Sequence, residues 1–178
     1  MKFSAFALIA FLMCSPPAFA KGITYDCDTA PGHYSELMLP GGSAFEASGK
    51  VTLLQMAEHE RWAPLVRIAV SNDPGTLGPS REGWAGFKMG NLPQFEDRLP
   101  ALLETSERER GGDVAETTIA PASSREVAFT FVFDGQTVEM TVDGHIREYE
   151  FSAEHPVLKI VCSTGEFLVH DLVISANE

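Results

Sequence analysis

The sequence predicts an all-β fold, a two-sheet antiparallel β-sandwich of the jelly-roll type that carries one short helix. Three observations predict it. Apolar residues recur at every second position in the clearest segments, two Asp-Gly turns bracket one of those segments, and Gly, Pro, Asn and Asp interrupt the chain at short intervals.

The first twenty residues read as an address rather than as part of the fold. Met1-Lys2 supplies a short positive start, Phe3 to Met13 is an uncharged apolar run, and Ser15-Pro16-Pro17 breaks it. Ala18-Phe19-Ala20 then has the small-x-small form that signal peptidase recognises. The run falls short of the about 20 residues that span a bilayer. Residues 1–20 are therefore expected to be a signal peptide and 21–178 a single β-sandwich domain, periplasmic or secreted. Cys14 follows Leu12-Met13, which loosely resembles a lipoprotein signal but lacks the small residue just before the cysteine.

Strands are expected at Gly22 to Asp28, Tyr34 to Leu39, Lys50 to Met56, Leu65 to Ser71, Trp84 to Met89 and Ala115 to Ala120. The pattern is clearest next. Val127, Phe129, Phe131 and Phe133 share one face, and Asp134-Gly135 turns the chain. Val138, Met140 and Val142 alternate with Thr137, Glu139 and Thr141, and Asp143-Gly144 turns again into Ile146 to Phe151. This is a three-strand meander. Val157 to Cys162 and Glu166 to Ser175 close the chain, so about eleven short strands are expected, enough for two packed sheets. Only Pro93 to Gly112 departs from the pattern. Pro100 suits a first helical turn, Leu102, Leu103 and Glu104 are good helix formers, and Arg108 and Arg110 suit a helix C-terminus ended by Gly111-Gly112. A short helix is expected there, covering one edge of the sandwich or a cleft.

Charge and cysteines narrow the partners. The chain has 25 acidic against 13 basic residues, a formal net charge of −12, and one of the lysines leaves with the leader. Such a surface repels phosphate backbones and anionic lipid, so nucleic acid is not an expected partner. Removal of the leader leaves two cysteines, Cys27 and Cys162, which in an oxidising compartment are expected to form a disulfide. A loop that long is worth about 4 to 5 kcal/mol on chain-entropy grounds. No Cys-x-x-Cys pair suggests redox or metal chemistry instead.

The C-terminal half resembles the concanavalin A-like lectin/glucanase group, including its laminin-G-like modules. The resemblance rests on Val127 to Gly135, on the hairpin Val138-Glu-Met-Thr-Val-Asp-Gly144, and on the closing pair Leu158 to Gly165 and Glu166 to Ile174. Lys50 to Ser71, with Trp62-Ala-Pro-Leu-Val66, is similar to the early strands of such modules. The resemblance implies a jelly-roll sandwich and a carbohydrate-related role. The group's functional residues do not carry over. Neither the Glu-x-Asp-x-x-Glu strand of its glucanases nor the Asp-x-Phe/Tyr-x-Asn metal loop of its legume-type lectins occurs here. Glu148-Tyr-Glu150 and Glu150 to Glu154 have the wrong spacing and lack the central Asp.

No catalytic residue is nominated. The five histidines (His33, His59, His145, His155 and His170) show neither His-x-His nor His-Glu-x-x-His spacing, so no metal site is expected. A triad drawn from Ser163, His170 and Asp171 lacks a Gly-x-Ser-x-Gly elbow, and neighbouring strand residues point to opposite faces. No cofactor is expected. Asn72-Asp73 and Asp26-Cys27-Asp28 offer acids of the kind calcium takes, without an EF-hand or repeat loop around them.

The candidate ligand-binding residues are Trp62, Trp84 and Arg67. An indole either fills the core or offers a flat apolar face to a sugar ring. Alternation puts Val66, Ile68 and Val70 on one face and Arg67, with Leu65 and Ala69, on the other. Arg67 then either lines a binding face or pairs with a surface acid. The expected function is an exported, non-catalytic binding module of lectin-like fold, for glycan or a cell-envelope partner. The alternatives are a carbohydrate-active hydrolase with unrecognised carboxylates and a structural envelope protein that binds other proteins.

Overall fold

The structure, a computed structural model, describes residues 22–57, 59–73, 83–90, 101–107 and 115–177. The expected signal peptide lies outside these residues. Twelve strands are found among the described residues: β1 (Ile23–Asp28), β2 (Tyr34–Pro40), β3 (Phe45–Met56), β4 (Leu65–Asn72), β5 (Trp84–Gly90) and β6 (Ala101–Glu107). β7 (Ala115–Pro121), β8 (Glu126–Phe133), β9 (Thr137–Val142), β10 (His145–Glu150), β11 (Pro156–Ser163) and β12 (Gly165–Ala176) complete them. They form two six-stranded sheets, sheet I in the order β1-β12-β3-β8-β9-β10 and sheet II in the order β2-β11-β4-β5-β6-β7. Every strand pair is antiparallel. The fold is the two-sheet sandwich that the alternation predicts.

The core lies between the inner faces. Val127, Phe129, Phe131 and Phe133 are buried while the residues between them are exposed. From sheet II, Phe87 meets Phe129 and Phe131, with ring centroids 5.8 and 6.1 Å away. Each such ring contributes roughly 1.5–3 kcal/mol through burial alone. Phe133 links Phe45 at 5.8 Å to Phe151 at 6.2 Å and closes the end beneath the β8–β9 turn. Asp143 and Gly144 have φ of 49° and 81°, the left-handed pair that a two-residue hairpin needs for its twist to match its strands.

The helix expected near Pro100 does not form at 101–107. That segment is β6, hydrogen-bonded between β5 and β7, and the rest of the expected helix lies outside the described residues. Thr105 and Ser106 are poor helix formers, and pairing on both sides engages most of the backbone where a lone short helix would leave end groups open. Local propensity loses to the ladder.

A disulfide and a one-residue crossing are among the ties between the two sheets. Cys27 on β1 and Cys162 on β11 form the expected disulfide, with Cα atoms 6.5 Å apart and both cysteines buried in the core. Thr164 alone joins β11 of sheet II to β12 of sheet I, at φ 55°. Thr29 Oγ1 donates to the Gly165 carbonyl and accepts from its N–H, at 3.0 and 3.2 Å, so this sharp crossing is hydrogen-bonded although buried.

Candidate functional site

Sheet II has a second well-defined face, opposite the core. Along β4, β5 and β11 the core-facing set is Val66, Ile68 and Val70, then Ala85, Phe87 and Met89, then Leu158, Ile160 and Cys162. Alternation assigns the outer face Leu65, Arg67 and Ala69 on β4, Trp84, Gly86 and Lys88 on β5, and Lys159, Val161 and Ser163 on β11. Register sets Arg67 between Val161 on one neighbouring strand and Lys88 on the other.

A cleft of about 480 Å³ opens at one end of this face. Its described lining includes Tyr34, Arg61, Trp62, Arg67, Lys88 and Ser163. Tyr34 begins β2 opposite Ser163 and is 62% exposed, and Trp62 is 44% exposed. Trp62 belongs to the segment between β3 and β4, which is held at both ends. The Ala57 N–H donates to the Thr164 carbonyl at 3.2 Å, and Ser163 Oγ donates to the Ala63 carbonyl at 3.4 Å. The crossing from β11 to β12 therefore positions the exposed indole as well as the sheets.

Trp84 is placed differently. It is 4% exposed, with the Arg67 guanidinium carbon 4.9 Å and the Lys88 Nζ 5.2 Å from its ring centroid. Lys88 lies four residues along the same strand face, and only Gly86, which has no side chain, intervenes. A Cβ on Gly86 would lie 2.5 Å from the Ala69 Cα, so the strands approach closely there. The indole supports the two cations; the cleft's described lining does not include it. Of the three residues singled out from sequence, Trp62 and Arg67 line one cleft and Trp84 braces Arg67. The sequence reading missed Tyr34, Arg61 and Lys88. For Lys88 a signal existed, since Trp84, Gly86 and Lys88 alternate onto one strand face.

Nearby, Lys159 is buried on the same face, and its Nζ lies 3.4 Å from Glu36 Oε2. The serine and histidine of the discarded triad are on different sheets: Ser163 is on β11, whereas His170 and Asp171 are on β12. The expectation that His170 and Asp171 point apart is corrected by a bulge. Asp171 sits at φ 53° where the β12–β3 register slips, and its Oδ2 lies 3.3 Å from His170 Nδ1. Across the ring, His170 Nε2 is 3.2 Å from Glu126 Oε2, and Lys50 donates to Asp171 Oδ2 at 3.2 Å. That hydrogen bond to Lys50 holds the Asp171 carboxyl below the ordinary carboxylate range, with the charges of Lys50 and His170 helping. Asn72 Oδ1 accepts the His155 N–H at 2.7 Å and so fastens the entry to β11.

No family model matches the chain, and no curated protein matches it. Solved structures do resemble it. A protein of unknown function from Saccharomyces cerevisiae is 14% identical with a TM-score of 0.55, over 92% of this chain and 94% of that one. An alginate lyase from Pseudomonas aeruginosa is 10% identical with a TM-score of 0.57, over 81% and 74%. A galectin from Caenorhabditis elegans is 12% identical with a TM-score of 0.51, over 89% and 98%. Identities this low establish the shared sandwich fold and leave the chemistry to the site.

Proposed function

We propose that this protein is an exported, non-catalytic glycan-binding module whose site is the cleft on the outer face of sheet II. The observation that carries the reading is the placement of two exposed aromatic side chains, Tyr34 and Trp62, beside Arg67 in one opening. Aromatic faces take the apolar side of a pyranose ring, and the guanidinium and hydroxyl groups beside them supply directed hydrogen bonds. The disulfide fits an oxidising compartment, as the leader-like N-terminus does. A galectin and a polysaccharide lyase among proteins of this fold make a glycan ligand the natural first choice.

Affinity electrophoresis through polysaccharide gels and a glycan array test this reading. Tyr34→Ala and Trp62→Ala are each expected to weaken retention at least about tenfold while unfolding at the wild-type temperature, the size expected when a stacked aromatic anchor is lost. Release of reducing ends or unsaturated products from a retained polysaccharide would replace the binding reading with an enzymatic one. Retention of an envelope protein with no glycan retained would favour the interaction reading.

A further inference from the structure

We propose that the sugar held in this cleft is a 2-acetamido sugar, whose acetyl methyl packs on Leu65 and Val161 while its amide N–H donates to Ser163 Oγ; this rests on the cleft being a glycan site. The register of sheet II lays out the floor. Ser163 on β11 lies opposite Tyr34 on β2 and opposite Leu65 on β4. Val161 precedes Ser163 by two residues and so shares its face. All four line the cleft. Leu65 and Val161 are only half-buried, so the sandwich leaves apolar surface uncovered there, and the exposed Ala63 continues it beside Trp62.

A plain hexopyranose fits such a floor poorly. Its apolar face suits Tyr34 and Trp62, but its rim carries hydroxyls. Hydroxyls laid on Leu65 and Val161 lose water without gaining a partner, which costs free energy. A rim substituent that ends in a methyl removes that cost. Ser163 then selects among methyl-bearing sugars. Its hydroxyl donates to the Ala63 carbonyl at 3.4 Å, so toward a ligand the oxygen presents lone pairs and takes a donor. An acetamido group carries an N–H and a methyl in one planar unit. A 6-deoxy sugar has the methyl without the N–H, and an O-acetyl ester lacks the donor as well. At about 480 Å³ the cleft has the size of a small-ligand site, enough for a pyranose with its substituent.

Isothermal titration of the oxidised protein tests the proposal with sugars that differ only at C2: chitotetraose against cellotetraose, and the methyl glycosides of N-acetylgalactosamine against galactose. In at least one pair the acetamido member is expected to bind about tenfold tighter or more, the effect of one buried methyl and one neutral hydrogen bond. Saturation-transfer NMR of that ligand is expected to show the largest transfer on the acetyl methyl rather than on ring protons. Val161→Thr, which keeps the side chain's shape, and independently Ser163→Ala are each expected to cut the preference at least about threefold. Equal affinity within both pairs, or a preference for the hydroxyl member, overturns the acetamido proposal and leaves glycan binding standing. Transfer centred on ring protons, a preference that survives both substitutions, or methyl fucoside binding tighter than both acetamido sugars also overturns it. Failure of all these sugars to bind overturns the acetamido proposal, and failure of every glycan on the array as well overturns both readings.

Discussion

Removing the bridge between the sheets should be the most costly change short of gutting the core. Cys27 and Cys162 are 135 residues apart in sequence, and chain entropy assigns a loop of that length about 5 kcal/mol in the unfolded state. Both cysteines are buried within the hydrophobic cluster, so Cys27→Ala/Cys162→Ala also leaves small voids that add to the loss. Relaxation of β1, an edge strand paired only to β12, works the other way. We expect a net loss of about 3–5 kcal/mol and a drop in Tm of about 10 °C or more. Urea unfolding of oxidised wild type and double variant measures it. The m-value should rise in the variant, because an unbridged unfolded chain exposes more surface. A loss under about 1 kcal/mol with unchanged m would refute the reasoning, since it would mean the bridge barely restricts the unfolded ensemble.

Three further expectations follow from particular contacts. Phe131→Ala, which vacates a fully buried position between Phe87 and Phe129, should cost about 3–5 kcal/mol in denaturant unfolding, whereas Val132→Ala on the opposite, partly exposed face should cost under about 1 kcal/mol. Gly86→Ala should destabilise by at least about 1–3 kcal/mol and weaken ligand binding, because the new methyl meets the β4 backbone at Ala69 and forces apart the strands that carry Arg67 and Lys88. The Asp134 carboxyl is held below its ordinary pKa of 3.8 by the N–H groups of Gln136 and Thr137 and by the Thr137 hydroxyl. Its contribution is therefore present above that ordinary value and lost as pH falls through the lower folded one, so urea midpoints of Asp134→Asn should fall less steeply than wild type below about pH 4.

The meander was legible because its forces are local. The alternation of Val127, Phe129, Phe131 and Phe133, and the φ > 0 tolerance of Asp143-Gly144, act within a few residues, so a one-dimensional reading captures them. Segment 101–107 was not legible. Its helix signals are weak preferences, and hydrogen-bond partners on β5 and β7 outweigh them only once those strands are in place. The bulge at Asp171 escaped for a similar reason: one extra residue on β12 is invisible until its register against β3 is known.

By itself the sequence determined the class of fold, the bridge between Cys27 and Cys162, and the face of β4 on which Arg67 sits. Period-two burial and a lone cysteine pair admit few solutions. Tertiary structure decided which side chains meet. Tyr34, Trp62, Arg67 and Lys88 come from β2, the β3–β4 connection, β4 and β5, and they converge because sheet II inserts β11 between β2 and β4. That order is set by packing across the whole chain, and so is the separate fate of Trp84, whose indole ended beneath two cations instead of in the opening.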